Sequence, residues 1–172
     1  MASKIHEKFR ALAHLEHCEL RDILFGLVTA FDKLDYINAC KLNKSLQNHL
    51  GPHFRYEEET LHLFLEAIIG KVQVEHLNRE HDRAIVDTSF LEQLLQSDNI
   101  GQKERHQGKK LVSRMLPHVS DCDGLAVMVE LLPECQIESI ISARDTAIKE
   151  NISLLKWAKD VRLRSFRDTY YR

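Results

Sequence analysis

The sequence predicts an all-α fold, and three observations carry that reading. Apolar residues recur at helical spacing along nearly the whole chain, and no stretch sustains the two-residue alternation of a half-buried strand. Only 6 Gly and 3 Pro interrupt the 172 residues. Hydrophobic residues make up 44% of the chain, enough for one compact domain to bury a sizeable core.

The first predicted helix runs from Lys4 to Phe31, with Leu20, Leu24, Leu27 and Phe31 as its buried stripe and His17 extending that stripe by one turn. Asp32-Lys33-Leu34-Asp35 reads as a tight connection in which Asp35 caps the next helix. The second helix covers Tyr36 to Ile69, and Gly51-Pro52 should kink or restart it, because proline lacks an amide donor and clashes with the preceding turn. Gly70 closes it. The third extends from Gln73 to Gln96, carrying Leu77, His81, Ile85, Thr88 and Leu91 or Leu95 on one face. After a loop at Ser97 to Gly101, a fourth helix occupies Lys103 to Leu116; Pro117 disturbs it, and Ser120-Asp121-Cys122-Asp123-Gly124 reads as a new helix start. Beyond Pro133, Ile137, Ile141, Ile148, Ile152 and Leu155 trace one long fifth helix from Gln136 to Arg164. Residues 1–132 therefore form a histidine-bearing bundle, and residues 133–172 an amphipathic helix packed on that bundle or on a second subunit.

Composition narrows the function classes. Lys plus Arg at 24 against Asp plus Glu at 26 leaves no overall basic footprint for nucleic acid. No apolar run reaches the roughly 18 residues of a membrane span, and Met1-Ala2-Ser3-Lys4-Ile5-His6-Glu7 places charges where a secretory signal needs apolar residues. A cytoplasmic protein with no membrane partner is expected. Cys18, Cys40, Cys122 and Cys135 lie far apart without a CxxC pair, so neither a zinc knuckle nor a redox dithiol is available. The ten histidines are the anomaly.

His53 and Glu57 stand four residues apart, a rotation of only about 40° on a helix, so they share a face. That face also carries Leu61, Phe64 and Ile68 and therefore points inward. A buried carboxylate needs a partner, and a cation held by neutral imidazoles would supply one. His17 and His81 sit in apolar stripes of their own. Reflecting His17 through the turn near Asp35 lands near position 53, and reflecting His81 through the loop near Asn99 lands near His118, so one shared layer is predicted. The bland alternatives are a hydrogen-bonded core histidine at each position and a solvent-facing HxxxE pair. Helical rotation turns Glu58 and Glu59 progressively away from the stripe, and His6, His14, His62 and His76 read as surface or boundary residues. Imidazole and carboxylate without thiolate suit iron, manganese or zinc.

The His53-Phe54-Arg55-Tyr56-Glu57-Glu58 run, the single inward histidine of the first helix, Glu80-His81, and the His118-to-Asp123 spacing together resemble the hemerythrin-like (HHE cation-binding) family over residues 4 to 125. The resemblance implies an up-down four-helix bundle with an additional long C-terminal helix, holding a non-haem di-iron centre. It places His17, His53, Glu57, His81, His118 and Asp123 on metal-ligand positions, with Glu57 and Asp123 the candidates to bridge two irons. Leu77 stands where oxygen-carrying members have a second histidine, and His76 points about 140° away from His81. One iron would then keep an open position or take an extra carboxylate such as Glu58. If Pro117 ends the fourth helix, Asp121 and Asp123 are helix caps and His106 is the substitute, although Lys110 one turn on argues against it.

The basic C-terminal end, with Lys156, Lys159, Arg162, Arg164, Arg167 and Arg172, reads as a solvated helix terminus or a docking surface, and a homodimer through this helix is expected. Three functions compete: a protein that binds or senses dioxygen, nitric oxide or peroxide or serves iron and oxidative-stress homeostasis; a di-iron peroxidase or oxidase; and a metal-free helical interaction module.

Overall fold

The structure is a computed structural model that describes residues 3–97, 101–125 and 127–164, the side chains of Cys122 and Asp123 excepted. It is all-helical, and no strand forms among the described residues. Helix α1 spans Lys4–Asp32 and α2 Tyr36–Tyr56, with the Asp35 carboxylate accepting from the Asn38 amide at 3.1 Å, the cap its position predicts. The restart offered at Gly51-Pro52 does not occur: α2 runs through Pro52 without a break. One missing amide donor is tolerated there because Leu46, Leu50 and Phe54 on either side lock α2 into the core. The irregularity comes five residues later. Glu57–Leu61 forms a π-turn in which the His62 amide bonds to the Glu57 carbonyl, and the chain continues as α3, His62–Ile69. Gly70, at φ 82°, ends α3 in a conformation that residues with a Cβ rarely adopt.

Helix α4 spans Lys71–Leu95 and α5 Gln102–Ser113, the latter started by the Glu104 carboxylate accepting from the Gly101 amide at 2.9 Å. The chain restarts as α6 at Leu116 and continues to Leu125, so Ser120 to Gly124 lies within a helix and does not begin one. Pro117 falls in the first turn of α6, where its missing amide had no intrahelical partner to lose. A 3₁₀ turn at Met128–Leu131 leads to α7, Glu134–Glu150. The single long C-terminal helix is likewise corrected: Asn151 adopts a left-handed conformation at φ 48°, and α8, Leu154–Asp160, starts afresh. The predicted stripe fails with it, since Ile137 and Ile141 are buried but Ile148 is exposed.

Helix α1 packs along α2 and against α5 and α6, α4 packs on α2, α3 and α5, and α7 and α8 lie over α2, reaching α1 and α4 respectively. Two apolar clusters result. The larger joins Leu20, Leu24, Leu27 and Phe31 of α1 to Phe54, Ile85, Leu91, Val112 and, from α8, Leu154 and Trp157. The smaller joins Phe9 and Ala13 to Tyr56, Leu61, Leu65, Val129, Ile137 and Ile140. On α1 His17 falls between Ala13 of one cluster and Leu20 of the other, and a polar layer crosses the interior at that level. No described helix is long and apolar enough to cross a membrane.

Candidate metal centre

The layer is built by four stretches of chain. His17 projects from α1, His53 from α2, Glu57 from the π-turn, His81 from α4 and His118 from the first turns of α6, and all five are at most 4% exposed. Their ligand-type atoms fall into two groups, His17 with His53 and Glu57, and Glu57 with His81 and His118. Within each group one atom per residue lies within 4.8 Å of the others, a spacing a single cation can draw together. Glu57 belongs to both. Its Oε1 is 3.4 Å from His53 Nε2, and its Oε2 accepts from His81 Nε2 at 3.1 Å. The rings pack closely: His17 and His53 edge to face with centroids 5.0 Å apart, His81 and His118 likewise at 4.8 Å, and Phe54 stacked on His81 at 3.8 Å. Both histidine pairs thus meet at the level that antiparallel reflection assigns them.

The outer imidazole nitrogens are held from behind. His53 Nδ1 pairs with Glu16 Oε2 at 3.0 Å, and the same carboxylate accepts from the Tyr56 hydroxyl at 3.1 Å and from Arg144 Nε at 2.5 Å. His81 Nδ1 pairs with Glu58 Oε1 at 3.0 Å. His118 Nδ1 lies 3.7 Å from Glu80 Oε2. Carboxylates that hold the far nitrogen of an imidazole fix its tautomer and leave the near nitrogen facing the centre. His53 Nε2 is buried there without a hydrogen-bond partner.

The π-turn explains the double carboxylate. An i to i+5 turn fits an extra residue into the same rise, so Glu57 and Glu58 both stay on the inner side, against opposite nitrogens of one ring. The expectation that Glu58 rotates away is corrected: its side chain is only 6% exposed. Leu61 is buried as predicted, but the register beyond shifts by one, so Leu65 is buried whereas Phe64 and Ile68, predicted to share the His53 face, are only partly so.

The electrostatics follow from crowding. Burial pushes the Glu57 carboxyl up, but the positive rings of His53, His81 and His118 outweigh it and hold it well below the usual carboxylate range. Glu58 is likewise held far down against its burial, by hydrogen bonds from His81 and Arg162. Burial lowers His53 and His81, yet their carboxylate partners win and both are raised; His118 is lowered, burial dominating. Burial and the Glu16 charge raise the Tyr56 hydroxyl well above its ordinary value.

A cavity of about 350 Å³ opens beside His53, lined also by Glu16, Glu19, His49 and Arg144. It brings solvent to the edge of the layer.

Of the six residues predicted as ligands, the structure brings His17, His53, Glu57, His81 and His118 together; the Asp123 side chain lies outside the described residues. His106 is exposed on α5 and takes no part, and His14 is exposed, as its reading as a surface or boundary residue has it. Leu77 is buried as an apolar core residue, and His76 is half-exposed. Several contributors escape sequence reasoning. His62, expected at the surface or boundary, is buried, pairing through Nδ1 with Asn78 Oδ1 at 2.8 Å, its ring 5.2 Å from His81. His6, expected there too, is buried against the Leu132 carbonyl at 2.9 Å. The Tyr56 hydroxyl donates to Glu16, and neither Glu16 nor Asp82 stands out in the sequence as a site residue. A glutamate beside His17 in α1 was a usable signal for Glu16; nothing in the spacing signals Asp82. Comparison with known proteins returns no match: no family model, no curated protein and no solved structure matches the chain.

Proposed function

We propose that this chain is a hemerythrin-like, non-haem iron protein that holds two metal ions in the polar layer and binds or senses a small oxidant or gas such as dioxygen, nitric oxide or peroxide in the cytoplasm. In this reading α1, α2 with α3, α4, and α5 with α6 are the four members of an up-down bundle, and α7 and α8 are additions to it. The observation that carries the proposal is the position of Glu57 between two histidine pairs, each completing a three-residue group with the same carboxylate. The donor set fits: four imidazoles and a carboxylate, no thiolate, and a buried His53 Nε2 with no other hydrogen-bond partner. Manganese or zinc would suit the same donors.

His17 and His53 would hold one ion, His81 and His118 the other, with Glu57 between them. Bound iron would supply a coordination position and electrons for a small ligand. The protein's own part is clearer. Glu16 and Glu58 orient His53 and His81, the two apolar clusters keep bulk water from both sides of the layer, and the cavity at His53 admits molecules of a few atoms. The Tyr56 hydroxyl, kept protonated and donating to Glu16, is a proton held within reach of that cavity.

The test is metal content per chain by mass spectrometry on protein purified without oxygen, with absorption spectra before and after air. About two irons per chain and new near-ultraviolet absorption on oxidation are expected; less than about a tenth of a metal per chain after iron loading would overturn the reading in favour of a metal-free helical interaction module.

A further inference from the structure

Of the basic C-terminal residues, Lys156 and Lys159 are exposed as a solvated terminus would have them and Arg167 and Arg172 lie outside the described residues, but Arg162 and Arg164 are drawn inward. Leu154 and Trp157 of α8 are fully buried in the larger core, and beyond them the amides of Val161 and Arg162 both return to the Trp157 carbonyl, at 3.0 and 2.9 Å. The chain is thereby turned back toward α2 and α4, and the Arg162 guanidinium lies 5.3 Å from the centre of the Trp157 ring. That guanidinium is 1% exposed. It grips Glu58 with two bonds, Nη2 to Oε1 at 2.5 Å and Nε to Oε2 at 2.9 Å, and reaches Asp82 Oδ1 through Nη1 at 2.8 Å. Arg164 grips Asp82 in turn, at 2.7 and 3.0 Å, and donates to the Asn78 carbonyl at 2.7 Å. Two guanidinium groups and two buried carboxylates make a neutral cluster. One member, Glu58 Oε1, is the atom that holds His81 Nδ1.

We infer that residues 161–164 are a clasp linked to the metal layer, with Arg162 a positioning residue that acts on His81 through Glu58; this rests on the proposed metal site. With Arg162 in place, Glu58 is neutralised and fixed, His81 keeps its proton on Nδ1, and Nε2 is presented toward Glu57 and His118. With the clasp undocked, Glu58 and Asp82 lose their guanidinium partners, and the carboxylate that holds His81 Nδ1 is no longer fixed from behind. Docking therefore favours occupation of the His81, His118 and Glu57 group. Linkage is reciprocal, so occupation must favour docking by the same factor. The C-terminal segment is the part of the chain through which loss of metal would be announced to a partner or a protease.

Two measurements test this. In the intact wild-type chain, trypsin cleavage after Arg162 and Arg164, followed by mass spectrometry, is compared with and without ferrous iron, using cleavage at the exposed Lys33 as the internal control. Cleavage in the clasp is expected to slow about tenfold or more with iron while Lys33 is cut at an unchanged rate, and the Arg162→Gln variant is expected to bind iron about 10- to 100-fold more weakly, with Arg162→Lys falling between. Wild type that binds iron but is cut in the clasp at one rate with and without it overturns the clasp and leaves the site standing. Wild type that binds no iron overturns both. Should Arg162→Gln fail to fold, the wild-type protease comparison decides alone.

Discussion

His53 and His81 face one another across the Glu57 carboxylate, His53 Nε2 at 3.4 Å from Oε1 and His81 Nε2 at 3.1 Å from Oε2. Because one carboxylate serves both histidine pairs, substitutions should fall into two classes. His17→Ala and His118→Ala each dismantle one group and are expected to leave about one metal per chain, whereas Glu57→Ala dismantles both and is expected to leave none. Metal analysis of the three purified variants, with far-ultraviolet circular dichroism to confirm folding, checks this. Glu57→Ala that retains a full complement of metal would show that the layer is not the binding site.

The π-turn makes a separate prediction. Deleting Thr60, one of its five residues, should return Glu57–Leu61 to ordinary helix and rotate α2 against α3. If Glu58 then leaves the interior, the His81, His118 and Glu57 group loses its anchor while His17 and His53 keep theirs. Expected is preferential loss of one metal with little change in helix content. Equal loss of both metals would mean that the turn serves the whole layer rather than one half of it.

How much of this is legible in the sequence depends on whether ideal helix geometry holds. Counting residues from the turns puts His17, His53, His81 and His118 at one level, and that works because α1 and α4 rise regularly over their whole lengths. It fails at the π-turn, where a single inserted residue reverses the expectation for Glu58 and leaves Phe64 and Ile68 only partly buried. No pattern of apolar spacing announces such a turn, because the contacts that accompany it, two carboxylates on the one imidazole of His81, join residues far apart in the chain. Asn151 shows the other limit. An isoleucine stripe runs past it on paper, but the left-handed residue diverts the chain so that Leu154 and Trp157 can bury. Arg162 resembles a solvated cation because local sequence cannot show that Glu58 and Asp82, far away in the chain, wait for it.

His62 supplies a pH prediction for the metal-free protein. Burial first, and the positive charge of His81 second, push its pKa down to about 4, against partial opposition from Glu57 and Glu58. The fold thus holds His62 neutral. That contribution is fully present above about pH 6.5 and is lost as pH falls toward 4, where the unfolded chain takes up the proton and the folded chain does not, amounting to about 3 kcal/mol over the window. Neighbouring His53 and His81, which are raised, act in the opposite sense but above about pH 6.5, contributing stability that is lost as pH rises, so the His62 effect is isolated by comparison with a variant. In urea titrations with chelator present, the stability of wild type relative to His62→Asn should decline by this order between pH 7 and pH 4; a difference that stays constant would mean His62 titrates normally.

Gly51 and Gly108 test how α8 is seated. A Cβ at Gly108 would fall 2.4 Å from the Phe31 ring, a side chain that can tilt, and Gly108→Ala is expected to destabilise by about 1 to 3 kcal/mol. At Gly51 the obstacle is backbone: the Ile152 carbonyl oxygen would stand at 2.1 Å and the Leu154 amide at 2.8 Å. Backbone cannot turn aside, so Gly51→Ala must lift the segment from Ile152 onward off α2, drawing Trp157 out of the core and Arg162 away from Glu58. Thermal unfolding should show a loss at least as large as for Gly108→Ala. Hydrogen exchange should locate it, with faster exchange across residues 154–162 in Gly51→Ala and no such change in Gly108→Ala, whose strain sits between α1 and α5. Faster exchange confined to α2 would instead mean that α2 bends and α8 stays seated.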